Sequence, residues 1–440
     1  MKQFLVAAML LLGSKVAGAF TLEELLEKTI ENNPAIQAAR AGVEEALGHR
    51  LIFHSVALPD ATIGVAGGVQ GGHRAGEKPT QPFGFGYGNL SQPLFNLAVP
   101  PSWRRGDIEP LIAQQRLNVT VIEQLQAARV AFYTALYNRA LASQLAAQRG
   151  RLQNISASQQ SRYQSGLVNR GAFIAAQVQV GGLNPGIEAA HRAYEGAVLK
   201  MGEAIGQDLA RFTARIEPEG TLAHTAVEVS PDRALPAALR RPDLELARLL
   251  IRAAREDQRI MEASYYPSIN ATVSGEYIPV SGVRRDQGQG TPRRSDDIIS
   301  SEIRAGAAYT WRVIDNGKIS GAVTKQRAAR EVNELLLQKM ERDVPRDLAR
   351  IDNELRAIAR KEKALVGASS AAEENASTLQ KNLEGGIATQ LESQLAESDL
   401  LQVKTALLTL AYQRSLALAQ WDRATGRYLQ FSDVAARKEK

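Results

Sequence analysis

The sequence contains no cysteine. That absence excludes a disulfide framework, a thiolate metal site, a cysteine nucleophile and a lipid-modified N-terminal cysteine. Aromatic residues are also scarce, at 5% of the chain, although 44% of the residues are hydrophobic. The apolar share therefore consists largely of Ala and Leu, which suit long, closely packed helices better than a large globular core.

Long hydrophobic runs are missing after the N-terminus, where no stretch reaches the ~18 consecutive apolar residues of a membrane-spanning helix. At the N-terminus, Lys2 precedes a short apolar run over residues 4–12 and an Ala-Gly-Ala site at residues 17–19. This order is typical of a secretory signal, so residues 1–19 are predicted to be a cleaved signal peptide, with Phe20 as the first mature residue. The alternative is a buried N-terminal helix.

Concentrated positive charge is absent as well. The net charge of +6 arises from 53 basic and 47 acidic residues mixed along the chain, and the densest arginine pairs lie far apart. This pattern argues against nucleic-acid binding. The five histidines show no metal-ligand spacing, and no glycine cluster opens a helix as a phosphate loop does. We therefore predict no enzymatic activity, no cofactor and no metal site.

An internal duplication is predicted from self-alignment. At an offset of about 208 residues, Asn33-Pro34 aligns with Arg241-Pro242, and at about 220 the Ala-Ile-Gly ending at Gly206 aligns with the Ala-Thr-Gly ending at Gly426. The alignment divides the mature chain into a first repeat at residues 20–206, a connector at 207–232 and a second repeat at 233–440. Each repeat is predicted to contain a helix, two strands and two very long helices.

Four candidate strands show period-two alternation, with aromatic residues near their ends; they lie around residues 61–65, 83–87, 269–277 and 303–313. A tilted strand of about ten residues covers about 24 Å, close to the apolar band of an outer membrane. Any single strand would fit a soluble sheet equally well. The loops at 71–81 and 281–301 are then expected on the cell exterior.

Helical periodicity predicts one helix over residues 22–57, another over 235–264, and two long helices over 102–163 and 318–383. Each long helix would extend about 90 Å. Apolar residues three and four apart predict coiled-coil packing, which Glu362 and Arg414 interrupt. The long helices are expected to end at Gly166 and at Gly385-Gly386, where glycine permits a left-handed backbone.

Four strands are too few to close a barrel, and bare strand edges are not viable in lipid. We therefore expect the barrel to be shared among chains, with three chains supplying twelve strands. The alternative is a periplasmic coiled-coil structural or adaptor protein whose strands form a soluble sandwich.

Short motifs, in order and in duplicate, resemble those of the TolC-like outer-membrane factors, the outer membrane efflux protein family. The motifs are Asn33-Pro34, Pro93-Leu94-Phe95, the turn from Arg162 to Val168, Arg241-Pro242-Asp243-Leu244, Tyr266-Pro267-Ser268, Val313-Ile314-Asp315-Asn316-Gly317, Gly386-Ile387-Ala388-Thr389 and Arg423-Ala424-Thr425-Gly426. The resemblance covers essentially the whole mature chain. It implies a mixed α and β membrane protein, a trimeric channel-tunnel with a shared twelve-stranded β-barrel in the outer membrane and a long α-helical barrel in the periplasm.

The resemblance also implies a function. The chain would be the outer-membrane channel of a tripartite efflux pump or type I secretion system, a passive duct for small molecules or polypeptides. Its partners would be two further copies (a homotrimer), a periplasmic adaptor protein, an inner-membrane pump or ABC exporter, and outer-membrane lipid. The residues implied at the periplasmic tip, which meets the adaptor, are Tyr163, Gly166, Leu167, Val168, Gly386, Ile387, Ala388 and Thr389.

Glu392 aligns with an acid that lines the closed periplasmic mouth in this family. Leu395 occupies the place where some members carry a second acid, and Ala172 is the matching residue of the first repeat. Three Glu392 carboxylates around a trimer axis would raise one another's pKa and attract cations. The alternative is an exposed acid favoured only by the helix dipole.

The sequence departs from the family pattern at three places. Asn96 is not followed by glycine at the first strand-to-helix transition, the Gly- and Pro-rich residues 181–186 interrupt a helix, and Pro345 lies inside another. Proline removes a backbone donor and clashes with the preceding turn, so a kink or break is expected at both of the last two places.

Overall fold

A computed structural model of the chain describes residues 19–71, 80–207, 216–222, 229–280 and 301–426. The predicted signal peptide and the two predicted exterior loops lie outside these residues, except at their ends. The chain forms two compact units. A helical unit comprises Met1–Ala41, Gln115–Glu245 and Gln338–Lys440, and a sheet unit comprises Gly42–Gln114 and Leu246–Leu337.

Helices dominate the described chain. They are α1 (Leu22–Asn32), α2 (Pro34–Ser55), α3 (Val99–Gln164), α4 (Arg170–Gly182), α5 (Asn184–Ala204), α6 (Pro231–Ala238), α7 (Pro242–Glu262), α8 (Lys318–Glu384) and α9 (Gln390–Thr425). α3 and α8 contain 66 and 67 residues. Each is therefore about 100 Å long, which confirms the two predicted long helices.

The strands are β1 (Ala19–Phe20), β2 (Asp60–Gly71), β3 (Thr80–Phe95), β4 (Glu217–Pro218), β5 (Ser268–Val280) and β6 (Ser301–Thr310). β1 and β4 form a short parallel pair, and the other four form one antiparallel sheet in the order β2-β3-β5-β6. The four predicted strands are confirmed. The predicted extension of the last strand to Val313 is wrong, because the chain leaves the ladder after Thr310 and the Trp311 indole donates to the carbonyl of Tyr265 (3.2 Å).

The predicted helix over residues 22–57 is two helices, because Asn33 adopts an extended backbone (ψ 124°) before Pro34. The Asn33 side-chain oxygen accepts the backbone N–H groups of Ala35 (2.9 Å) and Ile36 (3.2 Å), which caps α2. The predicted helix over 235–264 is divided in the same way, since α6 ends at Ala238 and α7 begins at Pro242.

Of the two places where a kink or break is expected, the helix breaks at only one. The break near residues 181–186 is confirmed, because α4 ends at Gly182 and α5 begins at Asn184. The break expected at Pro345 is wrong, since α8 continues through it. Pro345 is exposed, and its neighbours Val344 and Leu348 are buried, so the apolar packing of these two residues helps to hold this turn.

The two strand-to-helix transitions use the same device. Asp315 accepts the backbone N–H groups of Gly317 (3.0 Å) and Ile319 (2.7 Å), and these hydrogen bonds lower the pKa of the carboxyl group. In the first half of the chain the Asn96 side-chain oxygen accepts the N–H of Ala98 (2.9 Å). An amide thus replaces the carboxylate, and the transition forms without the glycine that the family pattern predicts.

Helix packing in the helical unit combines apolar contacts with buried charge. Its core contains Leu25, Leu26, Phe132 and Met201 among many alanines. In the described part of this unit, three ion pairs that have at least one buried partner cross between helices: Arg129–Asp422 (2.8 Å), Arg151–Glu397 (2.9 Å) and Arg414–Glu362. The last pair joins the two charged residues that interrupt the apolar stripes in the sequence. In the sheet unit, α3 and α7 pack through Ile108, Ile112, Leu249 and Ala253.

Gly206 and Gly426, which align in the predicted duplication, both end helices with a left-handed backbone (φ 68° and 64°). A Cβ at Gly206 would lie 2.4 Å from the carbonyl oxygen of Asn32, so only glycine fits there. Gly426 packs against Arg241, the residue that aligns with Asn33. The duplication itself, with the proposed boundaries 20–206, 207–232 and 233–440, stays a prediction.

Candidate functional site

The strand register gives the four-stranded sheet two faces of different chemistry. Ile63 pairs with Gly88, and Gly275 pairs with both Gly88 and Ile303, so these positions share one face. We call it the apolar face; its large apolar side chains are Ile63, Val65, Val69, Leu90, Ile269, Val273, Tyr277, Ile303 and Tyr309. Ile63 is 92% exposed and Ile303 is 81% exposed, so this face is uncovered in a single chain.

The opposite face, which we call the charged face, carries Thr62, Asn89, Ser274, Glu276, Glu302 and Arg304. Glu276 and Glu302 are direct cross-strand partners. Like charges in that position repel, but Arg304 donates two hydrogen bonds to Glu302 (2.5 and 2.8 Å). These three charges all lie on one side, which suits that side to water and the other to lipid.

The aromatic residues Phe85 and Tyr87 of β3 lie on the charged face. Phe85 pairs with Ala66 and Tyr87 with Gly64, which places both aromatic residues on the charged face. The Tyr87 ring lies over Gly64, where an added Cβ would be 2.3 Å from a ring atom. The glycines of β3, Gly84, Gly86 and Gly88, consequently belong to the apolar face.

Two tryptophans lie at junctions between strands and helices. The Trp103 indole donates to the carbonyl of His54 near the end of α2 (3.1 Å), and Trp311 donates to Tyr265 just before β5. Trp103 is 46% exposed and Trp311 is 52% exposed. Aromatic rings that carry a polar edge are enriched at membrane–water interfaces.

The first predicted tip turn follows α3. Gly166 has φ 72°, its N–H donates to Tyr163 O (3.0 Å), and the N–H of Leu167 donates to Arg162 O (2.8 Å). This is a Schellman motif, the glycine-dependent helix end that the sequence predicted. Val168 follows it and is half-buried.

The second predicted tip turn, after α8, repeats this geometry. Gly386 has φ 75°, its N–H donates to Leu383 O (3.2 Å), and the N–H of Ile387 donates to Asn382 O (2.8 Å). The N–H of Ala388 donates to the same Asn382 oxygen (3.1 Å).

Glu392, the predicted gate residue, forms a capping box with Thr389 at the start of α9. Its carboxylate accepts the Thr389 N–H (2.8 Å) and hydroxyl (2.7 Å), while its own N–H donates to the Thr389 hydroxyl oxygen (3.3 Å). The hydrogen bonds from Thr389 lower the pKa of Glu392. Glu392 is exposed, and within one chain it is an ionised capping residue.

Exposed apolar side chains cluster along the two turns and the helix that follows the second. Leu167 is 74% exposed, Ile387 82%, Leu391 64% and Leu395 56%. Tyr163 stacks on Phe173 across the first turn, with ring centroids 5.9 Å apart and planes 6° from parallel. An uncovered apolar surface of this kind is typical of a protein-interaction site.

The buried ion pairs were not predicted from the sequence. Arg129 is 3% exposed and Asp422 6% exposed, and burial raises the pKa of Asp422 to about 6, an effect that Arg129 opposes. The available signal was the presence of charged residues inside apolar helical stripes. The sequence alone could not pair them, because each pair joins residues more than 50 positions apart.

The comparisons with known proteins agree with this geometry. Residues 236–427 match the family model described as outer membrane efflux protein. The chain carries an outer membrane efflux protein domain. For residues 236–427, the family to which the sequence motifs pointed is thereby confirmed, and this domain belongs to a class of transport proteins and not to an enzyme family.

Solved structures share the fold of this chain at low sequence identity. The outer membrane protein VceC of Vibrio cholerae is 17% identical with a TM-score of 0.76, and the alignment covers 92% of this chain and 96% of VceC. The CmeC outer membrane channel of Campylobacter jejuni is 14% identical with a TM-score of 0.78, covering 92% and 85%. The MtrE outer membrane channel of Neisseria gonorrhoeae is 15% identical with a TM-score of 0.74, covering 92% and 89%.

A search of curated proteins finds no match to this sequence. Among the described residues of the chain, no helix combines the length and the apolar character that crossing a membrane requires.

Proposed function

We propose that the chain is the outer-membrane channel of a tripartite efflux pump or type I secretion system, a passive duct for small molecules or polypeptides. The observation that carries this proposal is the sheet, which has an apolar face, a charged face and two edges. β2 and β6 each pair on one side only within the described chain. In lipid, unpaired edge groups would each cost several kcal/mol, so the edges must pair with other chains.

Three chains would close such a sheet into a twelve-stranded barrel, with the apolar face toward lipid and the charged face toward water. The chain would then reside in the outer membrane as a homotrimer, with its helical part in the periplasm. The alternative, a periplasmic coiled-coil structural or adaptor protein, is disfavoured because a soluble sandwich would cover Ile63 and Ile303, which are exposed.

The experiment is reconstitution. Purified protein in a planar bilayer should conduct, and in fractionated cells it should remain with outer membranes after a high-salt wash. Release by salt, together with no conductance, would favour the soluble alternative.

We also propose that the tip turns contact a periplasmic adaptor. The residues of this surface are Tyr163, Gly166, Leu167, Val168, Gly386, Ile387, Ala388 and Thr389. Its support is the exposed apolar cluster, because Leu167 and Ile387 contribute large side chains that nothing in the described helical unit covers. An adaptor, acting together with an inner-membrane pump or ABC exporter, would bury them.

Glu392 is proposed to line the closed periplasmic mouth. Within one chain, Thr389 holds its pKa low; in a trimer, two neighbouring carboxylates would raise it. Glu392→Gln removes the charge but keeps a side-chain oxygen that can accept the Thr389 N–H, so it separates gating from capping.

The gate is tested by planar-bilayer conductance at fixed pH and salt. Glu392→Gln should reduce cation selectivity and weaken block by multivalent cations. Thr389→Ala, which weakens the cap but keeps the charge, serves as the matched control and should leave both properties near wild type. If Glu392→Gln also leaves both unchanged, Glu392 is only a capping residue.

A further inference from the structure

Four arginines border one cavity in the sheet unit. The cavity has a volume of about 400 Å³ and lies between α3, which supplies Arg104, and α7, which supplies Arg252, Arg255 and Arg259. The three arginines of α7 are spaced by three and four residues, so they lie along one face of that helix. We call these four residues the arginine cluster.

The carboxylates at the cavity do not neutralise this cluster. Glu256 is buried and accepts hydrogen bonds from Arg104 (3.0 Å) and Arg259 (2.7 Å). The carboxylate of Asp107 accepts a hydrogen bond from Arg50 (2.9 Å), which is not part of the cluster. Four guanidinium groups therefore face two carboxylates, one of which already pairs outside the cluster.

Part of the cluster remains accessible to a ligand. The side chain of Arg255 is 55% exposed, and its guanidinium nitrogen lies 3.5 Å from a carboxylate oxygen of Glu334. Arg259 is 56% exposed. Within the described residues Arg252 has no ion pair or hydrogen bond, and it is exposed. Guanidinium groups bind phosphate through paired, charge-assisted hydrogen bonds.

Two members of the cluster are close in the chain to aromatic residues near the ends of the strands. Arg104 directly follows Trp103 in the chain, and Arg259 precedes Tyr265 by six residues, about 10 Å along a helix. Tyr265 is 46% exposed and Tyr309 is 62% exposed. Interfacial aromatics lie at the level of lipid headgroups, and long arginine side chains can extend toward that level.

We propose that the arginine cluster binds the phosphate of an anionic glycerophospholipid on the periplasmic side of the outer membrane. This inference rests on the proposed function, because it requires the sheet to lie in that membrane. Ile108 and Leu111 also line the cavity and supply apolar contacts for the glycerol and the first acyl carbons. A zwitterionic headgroup would bring an ammonium group to a site with excess positive charge, so an anionic lipid is preferred.

The test is a lipid titration of the detergent-solubilised protein, followed by native mass spectrometry. Phosphatidylglycerol and phosphatidylethanolamine with identical acyl chains are compared. Wild-type protein should prefer phosphatidylglycerol by about tenfold or more, and Arg255→Gln with Arg259→Gln should abolish the preference. Arg255→Lys with Arg259→Lys should keep part of it, because the charge remains.

A matched control removes the same charge elsewhere. Arg346→Gln with Arg360→Gln changes two exposed arginines of α8 in the helical unit and should retain the wild-type preference. Circular dichroism of every variant verifies that its helical content equals that of the wild type. Inorganic phosphate is added as a competitor, and the lipid should not be displaced at an equal phosphate concentration.

Three results would overturn the inference: equal binding of both lipids, loss of preference in the control variant, or displacement by inorganic phosphate, which would indicate a free-anion site. Conductance of the same wild-type preparation separates the two proposals. A conducting protein without lipid preference contradicts only the lipid site. A protein that neither assembles nor conducts contradicts the proposed function and the lipid site together.

Discussion

At the scale of single residues, the buried pair formed by Arg414 and Glu362 explains why two charges persist inside apolar stripes. Their side chains are 4% and 14% exposed. A buried ion pair often adds little net stability compared with apolar residues of similar size, but removing one partner leaves a buried charge behind. The pair is thus better understood as fixing which helices pack together than as a large source of stability.

This interpretation predicts strong non-additivity. Arg414→Met should destabilise the helical unit by about 3–5 kcal/mol, whereas Arg414→Met with Glu362→Met should recover most of the loss. The measurement is guanidinium unfolding followed by helical circular dichroism. Arg346→Met is the control, because Arg346 and Asp343 form an exposed pair (77% and 44%) and its loss should cost at most about 1 kcal/mol. Equal losses in the single and double variants would contradict the interpretation.

Asp422 gives a pH prediction at the same scale. Burial raises its pKa from 3.8 to about 6 in the folded chain. A group with a raised folded-state pKa contributes stability that is present below its unfolded pKa and is lost as the pH rises through its folded pKa. The contribution of Asp422 should therefore decline from about pH 4 to above pH 6, by about 3 kcal/mol in total.

The pH prediction is measured as the unfolding free energy against pH. Asp422→Asn should lack the pH-dependent contribution of the Asp422 carboxyl group. Its unfolding free energy between pH 4 and pH 7 should therefore change with a different slope from that of the wild type. Asp399→Asn changes an exposed aspartate on the same helix and should keep the wild-type slope. Parallel profiles for wild type and Asp422→Asn would show that Asp422 does not titrate in this range.

At the scale of elements, the two glycine turns depend on backbone conformation alone. Gly166 and Gly386 have positive φ angles, yet a Cβ at either position would meet no atom within 4 Å. Gly166→Ala and Gly386→Ala should therefore each cost about 1–2 kcal/mol through backbone strain and not through a clash.

A glycine inside a helix should behave in the opposite way. Gly367 lies within α8 and also has open space around its Cβ position. Gly367→Ala should stabilise the protein by up to about 1 kcal/mol, because alanine has the higher helix propensity. Unfolding midpoints of the three variants provide the measurement, and the same sign for all three would refute the left-handed turn geometry.

The elements also show what a sequence can and cannot specify. Alternation located β2, β3, β5 and β6, and glycines located the turns, because these signals depend on neighbouring residues. The faces of β3 could not be assigned, since they depend on its pairing register with β2, which alternation within one strand does not specify. The partners of Arg129 and Arg414 depend on how distant helices pack, which periodicity does not encode.

At the scale of the whole molecule, the sheet is incomplete within one chain. Its two faces differ in polarity along β2, β5 and β6, and its edge strands β2 and β6 are left with one partner each in the described chain. Closure by neighbouring chains would pair the backbone N–H and C=O groups of both edge strands. The same closure would turn the apolar face toward lipid and the charged face toward water. The proposed channel, its adaptor contacts and its lipid site all depend on that closure.

The most direct test of closure is the mass of the folded assembly in detergent, measured by native mass spectrometry after chemical cross-linking. We predict a homotrimer that retains its strand and helix content. Four strands per chain then supply the twelve of a closed barrel. A monodisperse, fully folded monomer under the same conditions would contradict the account, because a single chain would then tolerate both free edges of its sheet.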